Sequence, residues 1–103
     1  MVNQKEALMK NFENIDKEEV AVIHSAFGDK PHVVAFVKVD KSIPDEDKCE
    51  QAFKMTNSIE QGWWNNEGVT KLVTGACRST STGDMVLIGT KKYLCEPVGW
   101  SEV

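Results

Sequence analysis

The sequence lacks any long apolar run. Nothing in it approaches the ~20 consecutive apolar residues that a membrane-spanning helix needs. Its first ten residues contain no apolar stretch and no small-residue cleavage site, so a secretory leader is not expected. Arginine is almost missing: Arg78 is the only one, and the lysines are scattered. With a net charge of −4 the chain has no Lys/Arg excess. Proteins that hold a phosphate backbone by counterion release usually show such an excess or a stripe of it. The acidic balance therefore counts against nucleic acid as a partner, and it is too mild for a DNA mimic. Close cysteine pairs are also missing. Cys49, Cys77 and Cys95 are an odd set whose nearest two members are 18 residues apart. Zinc sites take four ligands, usually in tight pairs, and His24 and His32 sit eight apart across an expected turn. The spacing thus supports no metal, and nothing points to a cofactor. An odd number of cysteines without an export signal points to reduced thiols and a cytoplasmic setting.

What is present is an ordinary globular composition, with 41% hydrophobic and 27% charged residues over 103 positions. That predicts one domain, 1–103, with a single modest core. Leu8, Phe12 and Ile15 fall at helical spacing, which predicts a short, loosely docked amphipathic helix over Asn3 to Ile15. Glu19 to Ser25 is short, apolar and β-branched, as is His32 to Val39. Both read as strands, and the Phe27-Gly28-Asp29-Lys30-Pro31 stretch between them carries turn chemistry. Ser42 to Asp47 is a helix start, with Pro44 near the first turn and three acids at the positive end of the dipole. Cys49, Ala52, Phe53, Thr56 and Ile59 then share one face, which predicts a helix running to Glu60 or Gln61. Further strands are expected at Val69 to Thr74, Met85 to Ile88 and Lys91 to Cys95. Gly89-Thr90 is a two-residue hairpin turn, and Val98-Gly99-Trp100 leads into the tail. The expected fold class is α+β, in the order α-β-β-α-β-β-β. It has a small antiparallel sheet of three or four strands and one main helix on one face.

Four groups of residues have chemical potential. In Cys77-Arg78-Ser79-Thr80-Ser81-Thr82-Gly83-Asp84, a guanidinium beside hydroxyls and backbone N–H groups could grip a phosphate or carboxylate. The structural alternative is a loop whose Ser and Thr satisfy their own backbone. The stretch is not a P-loop, because no lysine follows the glycine as required. In Trp63-Trp64-Asn65-Asn66 one indole is free to anchor a partner or stack a base, unless both cap the core where the helix ends. A Cys–His pair with Cys77 as its thiol is conceivable, and finding a histidine within hydrogen-bond reach would support it. Asp45, Glu46, Asp47 and Glu50 already have a sufficient role at a helix N-terminus.

Two blocks carry a resemblance. The run from Ala52 to Val69, with Thr56-Asn57-Ser58-Ile59 and Trp63-Trp64-Asn65-Asn66-Glu67-Gly68, is similar to a pattern in short proteins of tailed phages and mobile elements. Arg78-Ser79-Thr80-Ser81-Thr82-Gly83-Asp84, followed by Tyr93-Leu94-Cys95 and Gly99-Trp100, resembles the "RStSvGD" pattern of YodL-like domains. Thr82 stands where that pattern usually has valine. Together the blocks cover about half the chain. The resemblance implies a phage or mobile-element accessory protein in the cytoplasm of an infected or element-bearing bacterium, and it implies no reaction. The expected function is a non-enzymatic module that binds a host or viral macromolecule, most simply a protein. Trp63, Trp64, Asn65, Arg78, Ser79 and Ser81 are the expected contacts. The alternative is a small-ligand or nucleotide binder using the Arg78 loop. A homodimer stays open.

Overall fold

The computed structural model describes residues 16–57 and 62–103. The helix expected over Asn3 to Ile15 lies outside the described residues, as does Ile59. The elements are β1 (Lys17–His24), β2 (His32–Asp40), α1 (Asp45–Met55), a 3-10 turn (Trp63–Asn65), β3 (Val69–Lys71), β4 (Met85–Ile88), β5 (Lys91–Cys95) and β6 (Trp100–Glu102). The strands form one six-stranded sheet in the order β3-β2-β1-β4-β5-β6, and every neighbouring pair is antiparallel. The fold is α+β, as the sequence predicts, but three details of the order differ.

The first difference is the strand count. A sheet of three or four strands is expected, but all five strand segments the sequence marks join it, and Trp100–Glu102 adds a sixth. Trp100–Glu102, read as tail, pairs with β5 through Cys95↔Trp100 and Tyr93↔Glu102. A segment that short shows no alternation to read. Secondly, β3 stops at Lys71 rather than Thr74. Thirdly, α1 ends at Met55, not near Glu60 or Gln61. Thr56 turns its hydroxyl back onto Ala52 O at 2.8 Å, and Asn57 sends its amide to Thr80 O at 2.9 Å. Such side-chain bonds offer the backbone an alternative to continuing the helix.

One face of the sheet is the core. Val20 and Val22 of β1, Val37 and Val39 of β2, and Val86 and Ile88 of β4 are buried there under Cys49, Ala52 and Trp63. Residues Val22↔Ala35 and Ile23↔Val33 are partners, so Val34 is an extra, unpaired residue. This β-bulge turns both Val34 and Ala35 into the core. Polar ties hold α1 across the sheet. Tyr93 donates its hydroxyl to Asp45 at 2.6 Å and Trp100 donates Nε1–H to Glu50 at 2.7 Å. Lys48 is paired with Glu18 of β1 and lies 3.7 Å from Asp45. Two of the acids at the start of the helix thus serve to dock it.

The opposite face differs in kind. Residues directly across an antiparallel pair share a face. Ala21 lies opposite Phe36 and Leu87, Ile23 opposite Val33 and Met85, and Met85 opposite Leu94. This is a continuous apolar patch over four strands. Among the described residues, α1 packs on the other side and no helix covers this one. Val33 and Phe36 remain 38% exposed, and Ile23, Met85, Leu87 and Leu94 are half-buried.

Candidate functional site

The stretch 72–84 connects β3 to β4 and folds against the His24 end of β1. Its organising residue is Asp84, which has no exposed surface. Gly83 makes the turn before it at φ 94°, a conformation that L side chains rarely adopt. The Asp84 carboxylate accepts from Ser25 N and Ala26 N at 2.9 Å each and from Ser81 N at 2.8 Å. It also takes a two-pronged bond from Arg78, with Nη1 at 2.7 Å and Nη2 at 2.8 Å. Ser25 Oγ donates to Gly83 O at 2.6 Å. The Arg78 guanidinium then reaches Asp29 in the β1–β2 turn at 3.0 Å. Burial alone would push the Asp84 carboxyl up, but the Arg78 bonds and three backbone N–H donors outweigh it and hold it at about 2. The Asp84 hydrogen bond, with Asp29 adding to it, pushes the Arg78 guanidinium well above its ordinary value.

A second chain of polar groups lies beneath the clamp. His24 (1% exposed), Thr80 and Thr56 are buried. Their contacts are His24 Nε2 to Thr80 Oγ1 at 3.1 Å and Thr80 Oγ1 to Thr56 Oγ1 at 2.8 Å. Thr56 Oγ1 is 2.8 Å from Ala52 O, which has no proton, so Thr56 donates there. Thr80 must then donate to Thr56, and His24 Nε2–H must donate to Thr80. His24 Nδ1 is left as an acceptor, and it faces Cys77 Sγ at 3.8 Å. The structure thus brings the conceivable Cys–His pair within reach. Asp84 Oδ2 lies 3.9 Å beyond His24 Nε2. Burial lowers the His24 pKa below 6.5, outweighing the Asp84 charge, and burial raises the Cys77 thiol. The resting pair is therefore neutral.

The two blocks that carry the resemblance meet here. Trp63, 1% exposed, donates Nε1–H to Arg78 O at 3.0 Å and Cys77 O at 3.2 Å. Thr56 and Asn57 bind Thr80, and Asn66 donates to Met55 O at 2.7 Å. Each expected contact residue has a definite place. Trp63 is interior. Arg78 is 29% exposed along its side chain, with its guanidinium shared between two carboxylates. Ser79 and Ser81 are half-buried, the first accepting Arg78 Nη1–H at its carbonyl and the second donating its N–H to Asp84. Trp64 is half-buried, edge-on to Trp63, with Lys71 Nζ 4.0 Å above its ring. Asn65 is exposed.

Sequence reading missed the apolar outer sheet face and Phe27, which is 77% exposed at φ 58° under Arg78. The unbroken apolar runs Val20 to Ile23 and Met85 to Ile88, apolar on both faces of the sheet, held the signal for the first. Positive φ at a bulky residue has no sequence signal beyond the adjoining glycine. A cleft of about 470 Å³ lies at the other end of β1, lined by residues including Lys17, Asp40, Gln51 and Glu67, and does not involve the Arg78 loop. Among the described residues no cluster of three His, Cys, Asp or Glu could hold a metal, and no helix is long and apolar enough to cross a membrane. Comparison with family models, with curated proteins and with solved structures gives no match.

Proposed function

We propose that the chain is a non-enzymatic interaction module that binds a protein partner, of a host cell or of the phage or mobile element to which the resemblance points. The observation that carries this reading is the apolar face around Val33, Phe36, Leu87 and Leu94, which no helix covers among the described residues. On this reading the partner surface is the outer face of the sheet. Arg78 and Trp63 serve as internal supports that hold the hairpin and the 72–84 connection in shape.

The size of the patch selects the kind of partner. Two residues at 38% exposure and four half-buried ones leave on the order of a few hundred Å² of apolar surface, as on many monomers. A stable dimer of standard size needs ~800 Å² from each partner. The patch therefore suits one amphipathic helix of another protein, a groove-and-helix mode with apolar anchors at i, i+3 and i+4. Its rim is of mixed sign, with Lys17 opposite Asp40 and Glu19 opposite Lys38. A rim of that kind matches a partner helix with both charges at its margins.

Tagged wild type, Phe36→Glu and Trp64→Ala are expressed in the same cells, and one protein recovered in stoichiometric amount is followed. The reading expects that protein to be lost with Phe36→Glu at unchanged melting temperature, and kept with Trp64→Ala even though losing the ring packed on Trp63 lowers the melting temperature. Recovery indifferent to Phe36→Glu, or lost only with Trp64→Ala, would overturn it.

A further inference from the structure

We propose that Cys77 is a built modification site, a thiol that reacts with soft carbon electrophiles while His24 Nδ1 takes its proton. Three observations support the assignment. The first is burial: Cys49 is fully buried and Cys95 is 8% exposed, whereas Cys77 is only half-buried. The second is orientation. The Thr80–Thr56–Ala52 chain commits the His24 Nε2 proton, so the lone pair of Nδ1 points at Sγ 3.8 Å away. The third is charge. The imidazolium formed in the reaction lies 3.9 Å from the ionised Asp84, which Arg78 and the backbone N–H groups hold in place. Nucleophile and base stand as in thiol nucleophiles on unrelated folds, with the Thr80 hydroxyl rather than a carboxylate holding the imidazole.

The step balances without a co-reactant beyond the electrophile. With iodoacetamide as the probe, the Sγ–H proton passes to His24 Nδ1 as Sγ attacks the methylene carbon. The S–C bond forms, the C–I bond breaks, and iodide leaves with the electron pair. The imidazolium then returns its proton to water. Because the resting pair is neutral, the base acts during the attack rather than by supplying a standing thiolate.

Groups facing His24 are Asp84 and Arg78 from the 72–84 connection, and His32 and Asp29 from the β1–β2 hairpin. Asp84, held at about 2, and the Arg78 guanidinium, raised by its carboxylate partners, keep their charges between pH 6.5 and 8. A free thiol gains about tenfold in alkylation rate per pH unit below its pKa, because only thiolate reacts. A thiol with a neutral imidazole beside it does not. The experiment measures iodoacetamide alkylation of the folded full chain from pH 6.5 to 8, with peptide mapping to separate the three cysteines. The expected result is Cys77 alkylated first, at a rate that changes less than twofold over the range. His24→Gln should restore the tenfold-per-unit rise. A tenfold-per-unit rise in wild type, or Cys77 reacting no faster at pH 6.5 than a cysteine in an unfolded peptide, would overturn the assignment. The wild-type profile decides the matter even where the variant fails to fold.

Discussion

Replacing Asp84 by asparagine should be among the most damaging isosteric changes in the chain. The carboxylate is fully buried and accepts five hydrogen bonds. An asparagine side chain placed the same way keeps an acceptor toward Ser25, Ala26 and Arg78 Nη2. Its amide nitrogen, however, meets Ser81 N–H and Arg78 Nη1, donor against donor. Two donors lose their partner, and the guanidinium loses its buried counter-charge. Removing one member of a buried ion pair costs 3–5 kcal/mol when the other is left uncompensated. Arg78 keeps Asp29 and some contact with water, which discounts the expected loss to about 2–3 kcal/mol. That is a large share of the stability of a domain this size. Urea unfolding at neutral pH, followed by far-ultraviolet circular dichroism, gives the value from the midpoint and slope. Arg78→Leu should cost at least about 1 kcal/mol less in the Asp84→Asn background than in wild type, because the residues form one unit. A loss under about 0.5 kcal/mol for Asp84→Asn, or strict additivity of the two changes, would refute the clamp.

The same network sets the response to acid. The Asp84 carboxyl sits at about 2 in the fold against 3.8 in the free state, so it stabilises the protein above pH 4 and loses that effect as pH falls toward 2. Integrated, this is about 2 kcal/mol. His24 is depressed too, so the unfolded chain takes its proton first and stability begins to fall below pH 6.5. Urea midpoints should therefore decline in two stages, and a midpoint flat from pH 7 to 3 would contradict both assignments. Trp63→Phe keeps the six-membered ring but deletes the pyrrole ring with its donor to the Cys77 and Arg78 carbonyls and leaves a cavity in the core, and should cost about 2–4 kcal/mol in the same assay. Gly83→Ala should cost about 1–2 kcal/mol, since φ is 94° and the new methyl would meet Ala26 Cβ at 3.1 Å; an unchanged midpoint would show that the turn relaxes.

How far the sequence could be read follows from the range of the interactions. Local patterns held. Val20 and Val22, and Val37 and Val39, alternate into the core, and Cys49 with Ala52 marks the buried side of α1. Gly89-Thr90 closes the β4–β5 hairpin with Gly89 at φ 59°. The end of α1 was not legible, because what stops it is a threonine hydroxyl and an asparagine amide reaching a partner more than twenty residues away. His24 and Thr80 are 56 positions apart, and only the β1–β4 pairing brings their segments together. The Arg78–Asp84 pair was within reach, since opposite charges six residues apart flank a glycine turn. Reading the guanidinium as free for a ligand overlooked the carboxylate beside it. The outer face was hidden by the bulge at Val34, which shifts the alternation of β2 partway along.

The claim that partner recognition belongs to the outer sheet face is tested most directly by site-specific photo-crosslinking in cells. A photoreactive residue is placed at position 36 on that face or at position 64 beside the 3-10 turn. The account predicts one discrete heavier adduct from position 36, composed of this chain and one other protein, and no comparable product from position 64. An adduct from position 64 alone, a product of twice the chain's own mass, or coupling from position 36 only to the chain's own residues would contradict it.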